Sequence, residues 1–204
     1  DVVPAAGKIG LDFSLCDYMT LSAHKIGGPQ GVGALIVKDD APLAPQILGG
    51  GQQMGRRAGT ENLSGIAGFG AAAEIARNDG AERTRIAGLR DRFEAALKAL
   101  VPDVVIFGAA VPRLCSTSDF AIPGVTAENA LIALDLDGVM VSSGSTCSSG
   151  KVTISHVLRA MGVDEALAAG ALRVSFGWNS VPEDVEAVIA SLSNLLSRVR
   201  AAAA

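Results

Sequence analysis

In LSAHKIGGPQGVGALIV, residues 21–37, a single lysine stands between a strand-like segment and a glycine turn. Desolvation lowers the pKa of a lysine, and a neutral amine forms a Schiff base with a carbonyl. Ser22 and His24 place hydrogen-bond donors beside Lys25, and the Gly27-Gly28 backbone adds more. Together they describe an anion held next to a reactive amine. A surface lysine following an edge strand is the other reading this stretch leaves open. The glycines do not form the GxGxxG or P-loop patterns, so they are weak evidence alone.

A second centre lies in SSGSTCSSG, residues 142–150, where Cys147 sits among Ser, Gly and Thr. Buried cysteines pack among apolar neighbours, whereas a thiol on a polar loop is a candidate nucleophile. An inconsequential surface cysteine is the alternative. Cys115 and Cys16 have apolar or strand neighbours and read as packing residues. GRRAGTEN, residues 55–62, offers Arg56, Arg57 and Thr60 in a glycine-rich loop. Arg173 lies inside the otherwise apolar GALRVSFG, residues 170–177, so its charge requires a partner: a substrate carboxylate or one of the protein's own. His156 reads as a core or helix-start residue.

These residues need elements to position them. Residues 17–23 and 31–37 read as strands joined by a turn at 26–30. Residues 40–60 are Pro/Gly-rich and irregular, and 61–79 read as a helix. Ile86, Leu89, Phe93, Leu97 and Leu100 recur at three- and four-residue steps, which predicts an amphipathic helix over 81–100. Further strands are expected at 104–107, 117–122, 138–143 and 171–177. Helices are expected at 126–136 with Thr126 as N-cap, at 154–161, and at 182–200 with Pro182 in the first turn. Alternating strands and helices indicate an α/β or α+β fold, with a domain boundary near residue 80. DVVPAAG, at the start, reads as a strand end and turn already under way, so the chain is expected to be the C-terminal part of something longer.

The 204 residues are 49% hydrophobic and only 4% aromatic, with a net charge of −4. That composition supplies a core of small side chains, and the absence of a Lys/Arg run argues against nucleic acid as a partner. No apolar run is long enough to span a bilayer. Three widely separated cysteines argue against a disulfide framework and for a reducing cytosol. A metal-binding reading through Cys147, His24 and His156 has no ligand spacing in its favour.

A phosphate beside a reactive lysine is what pyridoxal phosphate requires. Four ordered motifs, DVVPAAGKI…LSAHKIGGPQGVGAL, GGGQQMGRRAGTEN, SSGSTCSSG and SHVLRAMG…GALRVSFGWN, resemble the cysteine desulfurases of the NifS/IscS-like group. These are class V, fold-type I pyridoxal 5′-phosphate enzymes, and the resemblance runs from residue 1 to about 190. It implies an α/β architecture: residues 1–80 the C-terminal part of the cofactor-binding large domain, 81–204 the small C-terminal domain carrying the cysteine loop. It implies that Lys25 holds the cofactor and acts as a base, that Ser22 and His24 bind its phosphate, and that Asp1 pairs with the pyridine nitrogen. Thr60 would reach the phosphate of the partner subunit, implying a homodimer. Arg173 would bind the carboxylate of L-cysteine. Cys147 would take the substrate sulfur as a persulfide, releasing L-alanine, and pass it to an iron–sulfur scaffold or another acceptor protein in the cytoplasm.

The sequence departs from the family at Pro4, where the usual glutamine bonds the ring oxygen, and mildly at Gln53, where glutamate is common. The family's N-terminal half, with the histidine that stacks on the ring, has no counterpart in these residues. Three readings therefore stand beside one another: a cysteine desulfurase, a selenocysteine lyase or other class V enzyme, and an inactive fragment acting through protein contacts.

Overall fold

In the computed structural model, which describes residues 1–144 and 154–203, the chain divides into two compact units, Asp1–Gly80 and Ala81–Ala204.

The first unit is built on an antiparallel hairpin of β1 (Tyr18–Ser22) and β2 (Gly33–Val37), in which Tyr18 pairs with Val37 and Ser22 with Gly33. Helix α1 (Leu63–Asn78) follows a long loop, and Asn62 caps it by accepting from the Gly65 N–H at 3.1 Å. The helix packs its small residues under the hairpin turn. A Cβ at Gly28 would lie 3.2 Å from the Ala72 methyl, and one at Gly68 only 2.6 Å from the Pro29 ring. The opening DVVPAAG forms no strand. Val2 N–H reaches the Thr20 carbonyl at 3.2 Å, and the chain then coils into successive turns, with Ala5 and Ala6 N–H both bonded to the Val2 carbonyl.

The second unit holds a four-stranded antiparallel sheet, in the order β3-β4-β6-β5. Its strands are β3 (Val105–Ile106), β4 (Thr117–Ala121), β5 (Ser142–Ser143) and β6 (Leu172–Ser175). The helices are α2 (Gly80–Leu100), α3 (Ala127–Leu136), α4 (His156–Ala160), α5 (Glu165–Ala169) and α6 (Pro182–Ala203). Alternation along the strands decides what each sheet face does. Phe120, Leu172 and Val174 join Ile86, Leu89, Phe93 and Leu97 of α2 and the inner face of α6 in the main core. Phe93 anchors it, with ring centroids 5.5 Å from Phe120 and 6.1 Å from Phe176. Thr117, Asp119, Arg173 and Ser142 occupy the opposite face.

Most elements lie where the sequence predicts them, and Thr126 caps α3. The strand expected over 138–143 shrinks to Ser142–Ser143. Gly138, in the left-handed region at φ 77°, donates to Asp135, and Val139 donates to Leu134 at 2.8 Å. Those residues are committed to closing α3 with a Schellman motif. A second such motif, with Val163 donating to Leu158 and Gly162 to Arg159, ends α4. The short α5 was not expected. Asp164 caps it through bonds from the N–H groups of Ala166 and Leu167, and five residues are too few to show a period. Among the described residues, no helix is long and apolar enough to cross a membrane.

Candidate active site

Successive side chains of a strand point to opposite faces, so Thr20 and Ser22 share one face of β1. Asp1 is fastened to that face. Its Oδ1 accepts from Thr20 Oγ1 at 3.0 Å and from the Val3 N–H at 2.9 Å. Beyond Ser22 the chain enters a 3-10 turn, Ala23–Ile26, that carries His24 and Lys25. The turn is pinned at its start by the fully buried Ala23 and closed by Gly27, whose φ of 84° favours glycine. Gly28 N–H returns to the Ala23 carbonyl at 2.9 Å. A carboxylate, a hydroxyl, an imidazole and an amine therefore follow one another along one strand and the turn it feeds.

Ser22 is half-buried, while His24 and Lys25 are exposed. The desolvation invoked for Lys25 from sequence is thus not supplied by this unit's own residues. Among the described residues, the side chains of Ser22, His24 and Lys25 make no hydrogen bond or ion pair, so their donors are uncommitted.

Thr60 lies in the loop before α1. That loop is held by Ala58 N–H to Ile47 O at 3.0 Å and Gly59 N–H to Gln52 Oε1 at 3.2 Å. Gln53 and Met54 occupy the left-handed region at φ 49° and 58°, an unusual conformation for two consecutive non-glycine residues. Thr60 is exposed, and among the described residues no hydrogen bond joins it to Ser22, His24 or Lys25. Pro4 sits in the turns after Asp1 and offers no N–H.

In the second unit, Arg173 on β6 pairs across the ladder with Asp119 on β4 and with Ser142 on β5, so the three form a row on one sheet face. That face forms a wall of a cleft of ≈ 420 Å³, also lined by Arg113, His156 and Met161. Gly144 and Ser155 line it as well. Cys147, with the Ser/Gly loop expected to carry it, lies outside the described residues. His156 is the first residue of α4 and exposed, which agrees with a helix-start histidine, although it also borders the cleft. Cys115 packs against the main core, and Cys16 is a half-buried free thiol.

Two cleft residues escaped the sequence reading. Asp119 lies in β4, TSDFA, a strand of mixed polarity, so its charge does not stand out as that of Arg173 does in its apolar strand. Burial pushes its carboxyl up to about 6, against the attraction of Arg173 and a hydrogen bond from the Phe120 backbone. Arg113 donates to both oxygens of Glu94, at 2.7 and 3.0 Å. Burial works to raise the Glu94 carboxyl, but the bonds from Arg113, with help from Ser118 and the charges of Arg113 and Arg90, hold it below its ordinary value. The Ser118 hydroxyl is fully buried and attracted towards Glu94, without a hydrogen bond of ordinary geometry.

The model of the aminotransferase class-V family matches residues 1–188. A cysteine desulfurase of Gluconacetobacter diazotrophicus is 41% identical over 203 residues, 98% of this chain and 51% of that protein. An IscS-like cysteine desulfurase of Mycobacterium tuberculosis is 41% identical over 208 residues, 100% of this chain and 53% of that protein. The chain thus spans about half the length of the curated relatives it matches. Among solved structures, a NifS-like protein from Rickettsia africae superposes with a TM-score of 0.85 at 37% identity, covering 96% of this chain and 52% of that one. A second NifS-like protein gives 0.83 at 32% identity, over 97% and 51%. The fold matches part of fold-type I of the pyridoxal phosphate enzymes.

Proposed function

This chain belongs to the class-V aminotransferase family, and on that premise we propose that it carries the lysine, the phosphate donors and the sulfur-accepting thiol of a pyridoxal 5′-phosphate-dependent cysteine desulfurase. The observation that carries the reading is the order of groups along β1 and its turn: Asp1 fixed by Thr20, then Ser22, then His24 and Lys25 with uncommitted donors. That donor set fits the cofactor. Asp1 would supply the carboxylate that a protonated ring nitrogen needs, and a hydroxyl, an imidazole and the turn's backbone suit a phosphate. The names of relatives about 40% identical point to the same class.

When bound, the cofactor supplies an electron sink next to the substrate's α-carbon. The chain's own groups do the rest. On this reading Asp1 keeps the ring nitrogen protonated, and Ser22 and His24 hold the phosphate. Lys25 Nζ anchors the cofactor and then moves the substrate proton. Arg173 binds the carboxylate of L-cysteine. Cys147 Sγ takes the substrate's sulfur: an S–S bond forms, the Cβ–S bond breaks, and the carbon side is protonated. L-cysteine plus the Cys147 thiol becomes L-alanine plus a Cys147 persulfide, a balance that needs no outside oxidant.

Residues 1–80 are then part of the cofactor-binding large domain, and 81–204 the small domain that carries the cysteine loop. Thr60 reaches the phosphate site of a second copy, so the working form is a homodimer. The persulfide passes to an acceptor protein such as an iron–sulfur scaffold, and its chemistry suits the reducing cytoplasm.

The test is to mix this chain with pyridoxal phosphate, reduce with borohydride and map the modified peptide, with Lys25→Ala as control. Labelling confined to Lys25 supports the reading, and scattered or absent labelling counts against it. L-cysteine and L-selenocysteine, assayed side by side for alanine, then separate a desulfurase from a selenocysteine lyase.

A further inference from the structure

The row Asp119–Arg173–Ser142 gives Arg173 a resident carboxylate on the face where a ligand would meet it. Directly opposed residues of an antiparallel pair have Cβ atoms about 5 Å apart, within reach of a guanidinium. Both side chains are half-buried, and both line the same cleft. The other arginine of the cleft, Arg113, is already committed to Glu94 through two short bonds. Asp119 is therefore the acid set against Arg173. We propose that Asp119 is a positioning residue for Arg173 that doubles as its internal competitor, holding the guanidinium towards the cleft and yielding it to an incoming carboxylate. The inference rests on the reading of Arg173 as the binder of the substrate carboxylate.

An arginine ordered in advance loses less freedom when a ligand arrives. The same resident charge opposes the ligand, so binding is coupled to the protonation of Asp119. Among the described residues, three charged or titratable groups line the cleft with Asp119: Arg173 on β6, Arg113 in the loop after β3, and His156 on α4. The neighbour of Arg173 on β5, Ser142, carries no charge. Arg113 stays charged across the usable pH range, and substitution of His156 separates its side chain from Asp119 in the test. Carboxylate binding should tighten as pH falls from 7.5 to 5, and asparagine at position 119 should remove most of that change.

The experiment is a titration of the full chain with L-alanine, the product expected of the proposed reaction, followed through the Arg173 Nε–H signal by NMR at both pH values. Neither ionisable group of L-alanine titrates in this window. The wild type is expected to bind at least about fivefold more tightly at pH 5 than at 7.5. Asp119→Asn should bind at pH 7.5 as tightly as the wild type does at pH 5, and nearly without pH dependence. His156→Gln should keep the dependence. In the ligand-free chain, ¹⁵N relaxation should show the Arg173 side chain ordered in the wild type and in Asp119→Asn, which retains a hydrogen-bond acceptor, but mobile in Asp119→Leu. Undiminished binding by Arg173→Ala, or no binding by the wild type at either pH, would overturn the reading of Arg173 and this inference with it. Loss of binding in Arg173→Ala with a wild-type pH response in Asp119→Asn overturns the inference alone. So does an Arg173 side chain equally ordered in Asp119→Leu.

Discussion

Arg113 grips both carboxylate oxygens of Glu94, at 2.7 and 3.0 Å, and ties the segment before β4 to helix α2 at the edge of the main core. Glu94 is only 8% exposed, so the pair is costly to break from either side. Removing one partner leaves the other charge poorly solvated, a loss of about 3 kcal/mol. Arg113→Ala should lower the stability of the chain by that amount in urea. The sign of the pH effect follows from the depressed Glu94 carboxyl. Its contribution is fully present above the ordinary glutamate value of 4.5 and is lost as pH falls through the lower folded value. Arg113→Ala should therefore flatten the acid limb of the wild-type stability curve.

Asp119 carries the opposite sign. Its folded carboxyl is pushed up to about 6 from an ordinary 3.8, so the folded chain binds this proton more tightly than the unfolded one. The resulting stability is present below the ordinary value and is lost as pH rises through about 6. Asp119→Asn removes the charge that burial disfavours. After allowance for solvent screening, it should stabilise the chain by about 1–2 kcal/mol at pH 7.5 and by close to nothing at pH 4. Equal effects of the substitution at the two pH values in urea unfolding would contradict this account.

Gly68 sets two effects against each other. Alanine in a helix interior is favoured over glycine by about 1 kcal/mol. A Cβ there would stand 2.6 Å from Pro29 Cγ and 3.0 Å from Cδ, and a proline ring cannot swing aside. Overpacking of this kind costs about 1–3 kcal/mol, so the clash wins. Gly68→Ala should destabilise the first unit and loosen the turn that carries Lys25. The double variant Gly68→Ala with Pro29→Ala should recover most of the loss, which thermal unfolding of the two variants would reveal.

How much of this was legible in the sequence depends on the range of the interactions. Ile86, Leu89, Phe93 and Leu97 announced their helix because one face repeats over a long segment, and all four are buried. The Ser22–Lys25 group can be proposed from sequence because its residues adjoin along the chain, on β1 and the turn it feeds. The shortened β5 was not, since Gly138 and Val139 look like strand residues until their bonds back to Asp135 and Leu134 are seen. The role of Asp119 is hidden in the sequence for a similar reason. Its meaning comes from the register that sets it opposite Arg173, far along the chain, and no local pattern specifies that register.

The face of β1 makes the sharpest demand on the proposed cofactor site. Ser22 serves only the phosphate on this reading, whereas Thr20 serves the ring end by fixing the Asp1 carboxylate at 3.0 Å. A hydrogen bond to a charged group contributes about 1.5–3 kcal/mol, so Ser22→Ala should weaken binding of pyridoxal phosphate roughly tenfold or more. It should leave binding of pyridoxal, which lacks the phosphate, unchanged. Thr20→Val keeps the β-branched shape suited to the strand but frees the carboxylate, and should weaken both compounds alike. Absorbance titrations of the two variants with each compound separate the two ends of the site. If Ser22→Ala weakens both equally, its hydroxyl supports the turn instead of a phosphate, and the phosphate must be held by His24 and the backbone of the turn.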